Sequence, residues 1–374
     1  MKFSRSLVHL AAAAATVLSV SACTSAGYLA QSVSGHLHVL AEARPVQEVI
    51  DDPATPQKLR ERLQLAQRQR EFAVRELALP DNASYRRYAD LKRSAVVWNV
   101  VAAPELSLKL EQSCFPVVGC VGYRGYFDQA EAQAEARRLR DQGLEVYMYG
   151  VPAYSTLGRL PDWSYFSDPL LSTFINYPEG ELARMVFHEL AHQEAFAKGD
   201  TMFNESFATA VERVGSRRWL DEQAAPEARE EFERYDGRRR EFQALTYGYR
   251  RKLEALYDSK VPDADKRAGK ARLMASMRAD YKALRDGPWK GYKGYDAWFE
   301  RANNASLGVM AAYNELVPSF ERLLAKDGGD FARFYADVRH MAALHDNDER
   351  RAALAAAVGP ASEPTMAQAP AGRP

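Results

Sequence analysis

Histidine and cysteine, the side chains that most often hold metals, are scarce: seven and three respectively in 374 residues. So few cysteines exclude a disulfide-stapled scaffold or a cysteine-rich zinc module. Net charge is lacking as well. The 50 basic residues balance 50 acidic ones, and a chain without a basic surplus has little to offer a phosphate backbone, so no nucleic-acid partner is expected. Short basic runs at Arg137-Arg138, Arg217-Arg218 and Arg238-Arg239-Arg240 have acids nearby in sequence and read as solvated helix faces. Internal repeats are missing, and no apolar run is long enough to cross a bilayer, the best being Leu7 to Val20.

That run has another reading. Lys2 and Arg5 precede it and Val20-Ser21-Ala22-Cys23 closes it, the pattern of a lipoprotein leader cut before an acylated cysteine. Residues 1–22 are expected to be a signal peptide and Cys23 the lipidation site; a plain secretory leader leaves Cys23 without a role. Acyl chains would then anchor the protein to the membrane without a spanning helix. Thr24 rather than Asp after the cysteine points, by Gram-negative sorting, to the outer membrane, facing the periplasm. Losing Lys2 and Arg5 with the leader leaves 48 basic residues against 50 acidic. Cys114 and Cys120 are close enough in sequence for a disulfide in an oxidising compartment; a second metal site is the alternative, but no further ligands stand nearby.

Two of the scarce histidines stand together in His188-Glu189-Leu190-Ala191-His192, followed by Asn204-Glu205-Ser206-Phe207-Ala208. Side chains at i and i+4 share a helix face, so His188 and His192 can present two imidazole nitrogens to one zinc ion. Glu189 projects to the side, within reach of a water at the open coordination place, as general base for peptide hydrolysis. A catalytic zinc needs a third protein ligand. Lys198-Gly199-Asp200 reads as a helix stop and Asn204 as the N-cap of a second helix, which puts Glu205 on its first turn. A short turn between antiparallel helices brings that carboxylate back to complete a His2Glu site, one zinc per chain. An isolated HExxH also arises by chance on solvated helices. Here Met185, Val186, Phe187, Leu190, Ala191 and Ala195 make the helix apolar nearly all round, and buried His and Glu need partners.

The stretches Gly150-Val151-Pro152-Ala153-Tyr154-Ser155-Thr156-Leu157-Gly158, Leu170-Leu171-Ser172-Thr173, Phe187 to Gln193 and Phe203 to Ala208 resemble the predicted aminopeptidase family of bacterial zinc metalloproteins, of glutamate-zincin type. The likeness runs more weakly through Tyr28 to Leu40 and through Asn303-Asn304-Ala305 to Pro318. It implies a zincin-like metallopeptidase in which His188, His192 and Glu205 are ligands and Glu189 is the catalytic acid/base, the roles the spacing also assigns. The link from Arg159 to Pro169 is longer than the family pattern, so the cleft rim is where this chain departs from it.

An α+β fold, predominantly α-helical, is expected: one zincin-like domain over residues 23–357, with a small mixed sheet over the HExxH helix, and a disordered Ala/Pro-rich tail at 358–374. Tyr28 to Glu111 has helical patterning, with helices at Ala41 to Val49 and Gln57 to Leu77. His36 and His38 fall on opposite faces and read as surface or capping residues. Val117 to Tyr123, Leu144 to Gly150 and Ser172 to Tyr177 read as strands, with a helix over Gln129 to Gln142. Beyond Glu205 the chain is helical to about Ala357, with turns at Gly287-Pro288 and Asp327-Gly328-Gly329.

The function expected is a zinc peptidase anchored to the bacterial envelope, by resemblance an aminopeptidase, acting on a peptide or protein substrate. Tyr154, Tyr177 and Tyr313 are candidate transition-state donors, and Glu181, Glu194 and Glu212 candidate anions for a substrate ammonium. A zinc endopeptidase acting on envelope proteins and a non-catalytic zinc-stabilised envelope scaffold are the alternatives. The leader generates one prediction: Cys23→Ser should abolish acyl labelling and lipoprotein processing, and wild-type protein should stay with membranes through a high-salt wash. Unchanged acyl labelling of the serine variant would refute the assignment.

Overall fold

The computed structural model describes residues 27–115, 119–157, 167–312 and 315–359. The expected leader, Cys23, Tyr313, the tail from 360 and most of the long link after Gly158 lie outside them.

Helix α1 (27–41) leads into strand β1 (Ala43–Pro45), α2 (Val46–Asp51) and the long α3 (Gln57–Leu77). Strands β2 (Arg87–Ala89), β3 (Val97–Ala103), β4 (Ser113–Phe115), β5 (Gly119–Val121) and β6 (Arg124–Tyr126) precede α4 (Gln129–Asp141), β7 (Glu145–Val151) and β8 (Leu170–Leu171). Then come α5 (Glu179–Glu194), α6 (Thr201–Gln223), α7 (Pro226–Asp258), α8 (Asp263–Asp286), α9 (Asp296–Arg301), α10 (Asn304–Ala312), α11 (Val317–Lys326), α12 (Phe331–Ala342) and α13 (Asn347–Val358). The chain is α-rich with small sheets: antiparallel β6-β3-β7, mixed β1-β2-β8, and the hairpin β4-β5, whose rung Cys114–Cys120 is disulfide-bonded.

The ends of the helices follow local chemistry. Asp128, Asp200 and Asp330 each accept a backbone N–H of the first turn of α4, α6 and α12, and Pro226 opens α7 where no N–H is needed. The main core surrounds α5 and α6. Phe187 of α5 stacks on Phe72 of α3, while Phe207 of α6 is enclosed by Phe320, Phe334 and Tyr335 of α11 and α12. A second cluster fills the arm made by α7, α8 and α9, where Phe242 stacks on Tyr295 and Tyr281 on Phe299.

Three expectations need correction. The stretch from Tyr28 to Glu111 is not helical throughout: it contains β3, central strand of the antiparallel sheet. All seven residues of β3 are buried, so the strand has no polar alternation to betray it. Ser172 to Tyr177 is not a strand either. It is a chain of turns after the two-residue β8, with Ile175 N–H on the Leu171 carbonyl (3.0 Å) and Tyr177 N–H on that of Phe174 (2.9 Å); Phe174 and Ile175 enter the core from those turns. Finally, α6 starts before Asn204, which lies inside the helix.

Phe207 is fully buried among three aromatic rings. Phe207→Ala is expected to destabilise the protein by about 3–5 kcal/mol in denaturant unfolding. A loss below about 1 kcal/mol would contradict this packing.

Candidate metal centre

Helices α5 and α6 face each other across the six-residue linker 195–200. Gly199 turns it with φ 77°, and Asp200 caps α6. Asn204, expected as the cap, clamps the linker instead: its side-chain oxygen accepts from Ala197 N–H (2.7 Å) and its amide donates to the Ala197 carbonyl (2.9 Å). Glu205 therefore sits on the second turn of α6, in fixed register with α5.

That register brings three donor atoms together. His188 Nε2 and His192 Nε2 are 3.2 Å apart, and Glu205 Oε2 lies 3.3 Å from the first and 3.7 Å from the second. A tetrahedral metal with bonds of ~2.0–2.1 Å sets its donors ~3.3–3.4 Å apart, so this triangle fits one ion with a place left for water. Behind it, His188 Nδ1–H donates to Glu212 Oε2 (3.0 Å), which fixes the tautomer and turns the Nε2 lone pair toward the triangle. Glu212 also pairs with Arg184; Arg184 lies 3.9 Å from Glu181, and Glu181 takes both oxygens to Arg239 of α7 at 2.6 Å. His192 has no such brace, since its Nδ1 is buried and unpartnered among the described residues.

The electrostatics favour a cation. Burial opposes charge on His188, but the carboxylates of Glu205 and Glu212 outweigh it and hold the imidazole well above its usual range. Burial would raise Glu212, yet Arg184 and His188 bring it down to about 2. Burial takes His192 down to about 4, outweighing the nearby Glu205 carboxylate, so its imidazole keeps a free lone pair. Burial lifts Glu189 to about 8, against the pull of His188. Glu189 is thus a base in dry surroundings, and a divalent cation in the triangle would draw it down.

These five side chains line a cavity of about 450 Å³ whose other wall includes Val97 and Asn99 of β3, Gly125 of β6, Val151 of β7, and Tyr28 and Ser32 of α1. A second cavity, about 730 Å³, adjoins it and shares Tyr123, Gly199, Asp200 and Thr201.

A family model described as "Putative aminopeptidase" matches residues 27–354. The chain belongs to this aminopeptidase family. No curated protein and no solved structure matches it.

Within this site, the tyrosines expected from sequence divide. Tyr154 lines the cavity, but its hydroxyl lies 2.6 Å from His36 Nδ1. His36 is therefore half-buried at the site, not a surface or capping residue; it faces inward from α1, while His38 is exposed. Tyr177 stands elsewhere, its carbonyl held by Arg62. Tyr123, missed in the sequence, lines both cavities and is close enough to Glu205 and Glu189 for their charges to reinforce the burial that raises its phenol. The candidate ammonium anchors are all engaged: Glu181 by Arg239, Glu194 by Arg339, Glu212 by His188 and Arg184. Asp168 was also missed. It is buried beneath the rim at a pKa of about 6, raised by burial, and accepts Thr156 N–H at 3.0 Å, fixing the segment that carries Tyr154.

A signal for the bracing residues did exist. Arg184, His188 and His192 repeat at i, i+4 and i+8 on α5, and Glu205 and Glu212 at i and i+7 on α6, two facing stripes. Because Glu212 orients His188, Glu212→Gln should weaken metal affinity about 10–100-fold in chelator competition, with the fold retained by circular dichroism. Wild-type affinity in that variant would show the His188–Glu212 bond to be idle.

Proposed function

We propose that this aminopeptidase-family protein is a zinc-dependent peptidase of glutamate-zincin type, held in the bacterial envelope as a lipoprotein through Cys23, at the outer membrane on its periplasmic side. The observation carrying this reading is the donor triangle of His188, His192 and Glu205 with Glu189 beside it and Glu212 behind. Zinc bound there would polarise the scissile carbonyl and acidify a water. Glu189 would take the proton of that water and hand it to the departing amine. Tyr123 is the phenol best placed to donate a hydrogen bond to the carbonyl oxygen as negative charge develops on it. No nucleic acid enters this reading, and the purely structural zinc alternative leaves buried Glu189 without a task.

A second reading, endopeptidase action, has its own support. An exopeptidase that grips a free N-terminus needs an anion for the ammonium group. Among the described residues, every carboxylate lining the metal cavity is engaged: Glu189 and Glu205 in the chemistry, Glu212 by His188 and Arg184, Asp200 by Arg350, Arg351 and the start of α6. The adjoining cavity would also accept chain on both sides of the scissile bond.

Incubation of the zinc-loaded protein with matched free and N-acetylated peptides separates the two, since cleavage confined to free N-termini identifies an aminopeptidase. Glu189→Gln should keep its zinc and melting temperature while hydrolysis falls by about two orders of magnitude or more. Tyr123→Phe should lower kcat by about 10²-fold or more with little change in KM. Wild-type turnover in Glu189→Gln would sink the mechanism, and wild-type turnover in Tyr123→Phe would remove only the phenol from it.

A further inference from the structure

Helix α1 has two faces with different surroundings. The inner face is fastened to the catalytic wall. The Tyr28 hydroxyl accepts Gly125 N–H (3.2 Å), Gln31 bonds both the Gly125 carbonyl and Phe127 N–H (3.2 Å each), and His36 meets Tyr154. A Cβ on Gly35 would lie 2.2 Å from the Phe127 ring, so helix and wall are in direct contact.

The outer face carries Leu29, Val33 and Leu37 at i, i+4 and i+8, exposed by 45%, 60% and 44%. Among the described residues these are three of the four large apolar side chains left in solvent; the other is Val261, between α7 and α8. The face has no charge to offset them. From Ser6 to Ala41 there is no Asp, Glu, Lys or Arg, in a chain where these make up 27%. A helix that simply faces water carries charged residues on its outer side, and this one lacks them. An aligned apolar stripe of this kind marks an interaction surface.

The position of the stripe says what covers it. Three residues, Thr24 to Ala26, lie between Cys23 and Gly27, the first described residue of α1, a span of at most ~14 Å fully extended. We propose that the outer face of α1 docks on the lipid bilayer in which the acyl chains of Cys23 are anchored, with Leu29, Val33 and Leu37 entering the boundary between headgroups and acyl chains. The proposal rests on the lipoprotein reading of Cys23. Three half-exposed side chains are too few to hold an untethered protein on a membrane. A tether this short keeps them at high effective concentration beside the lipid, so they set orientation instead of supplying attachment. With no basic residue on the face, docking depends on apolar burial and not on anionic lipid. Tyr28 and Ser32 on the inner face line the metal cavity, which then stands about one helix diameter, ~10 Å, from the bilayer surface. Substrate segments emerging next to the membrane are the ones that reach it.

The test uses acylated protein reconstituted into phosphatidylethanolamine–phosphatidylglycerol vesicles containing doxyl-labelled lipid. With Cys23 acylated and Cys114 bonded to Cys120, Val33→Cys provides the single free thiol for an NBD fluorophore; Val261→Cys is the control. Expected are a blue-shifted emission and several-fold stronger lipid quenching at position 33 than at 261, insensitive to high salt and lost in the Leu29→Ser/Leu37→Ser background. That background should keep wild-type turnover of a soluble peptide. Equal quenching at both positions, in protein that floats with the vesicles, overturns docking and leaves the anchor standing. Mature Cys23→Ser chain held on nickel-chelating lipid by an N-terminal hexahistidine repeats the measurement without acylation. Quenching there, combined with no acyl label on Cys23 in cells, would keep the docking face and discard the lipoprotein reading. A dimer in solution that Leu29→Ser dissolves would assign the face to a second copy of the chain and overturn the proposal.

Discussion

The carboxylate of Glu212, buried between the Arg184 guanidinium and the His188 imidazole, is the interaction on which the site depends. A buried ion is costly unless every neighbour answers it, and Glu212 is answered from two sides. Its bond to Nδ1 aims one donor of the triangle, and its bond to Arg184 continues through Glu181 to Arg239 on α7. Three helices are thus held in one register by alternating charges, inside a core that is otherwise aromatic and aliphatic. The core could pack with α5 and α6 shifted slightly; the charges could not tolerate it. The site's geometry follows from that intolerance as much as from the i, i+4 spacing of the histidines.

The spacing was nonetheless the legible part. Helical periodicity is local, so His188, Glu189 and His192 could be placed on their helix from sequence alone, and so could the return of Glu205 from a helix after a short turn. The start of α6 was less legible, because Asp200 and Asn204 are both good caps and only the linker shows that Asn204 is spent on Ala197. Strand β3 was illegible for a different reason: a strand buried on both faces has no alternation to read. Tyr123, Asp168 and His36 were beyond local reasoning, since Tyr123 reaches the cavity, and Asp168 and His36 reach the segment of Tyr154 that lines it, only through contacts distant in sequence.

The walls of the cleft divide the same way. The ligand side is helical and internally braced, while the opposite side is assembled from β3, β6, β7 and α1, brought together by sheet hydrogen bonds and by α1 lying across Gly125 and Phe127. Family membership covers both sides, from residue 27 to 354. Asp168 holds the rim through Thr156, on the side of the cleft that also carries Tyr154.

The hairpin β4-β5 meets the α5–α6 linker at two glycines: Gly119 is so close that a Cβ on it would lie 2.8 Å from Gly199 N, and Tyr123 follows two residues after β5. The disulfide that closes this hairpin spans only six positions, so it removes little freedom from the unfolded chain, about 2 kcal/mol by loop entropy. Its effect is local. It stiffens the hairpin that leans on the turn between the helices carrying the donor triangle and that leads into Tyr123 of the cleft. Reduction would therefore loosen the support of the α5–α6 turn and of Tyr123 before it unfolded the chain.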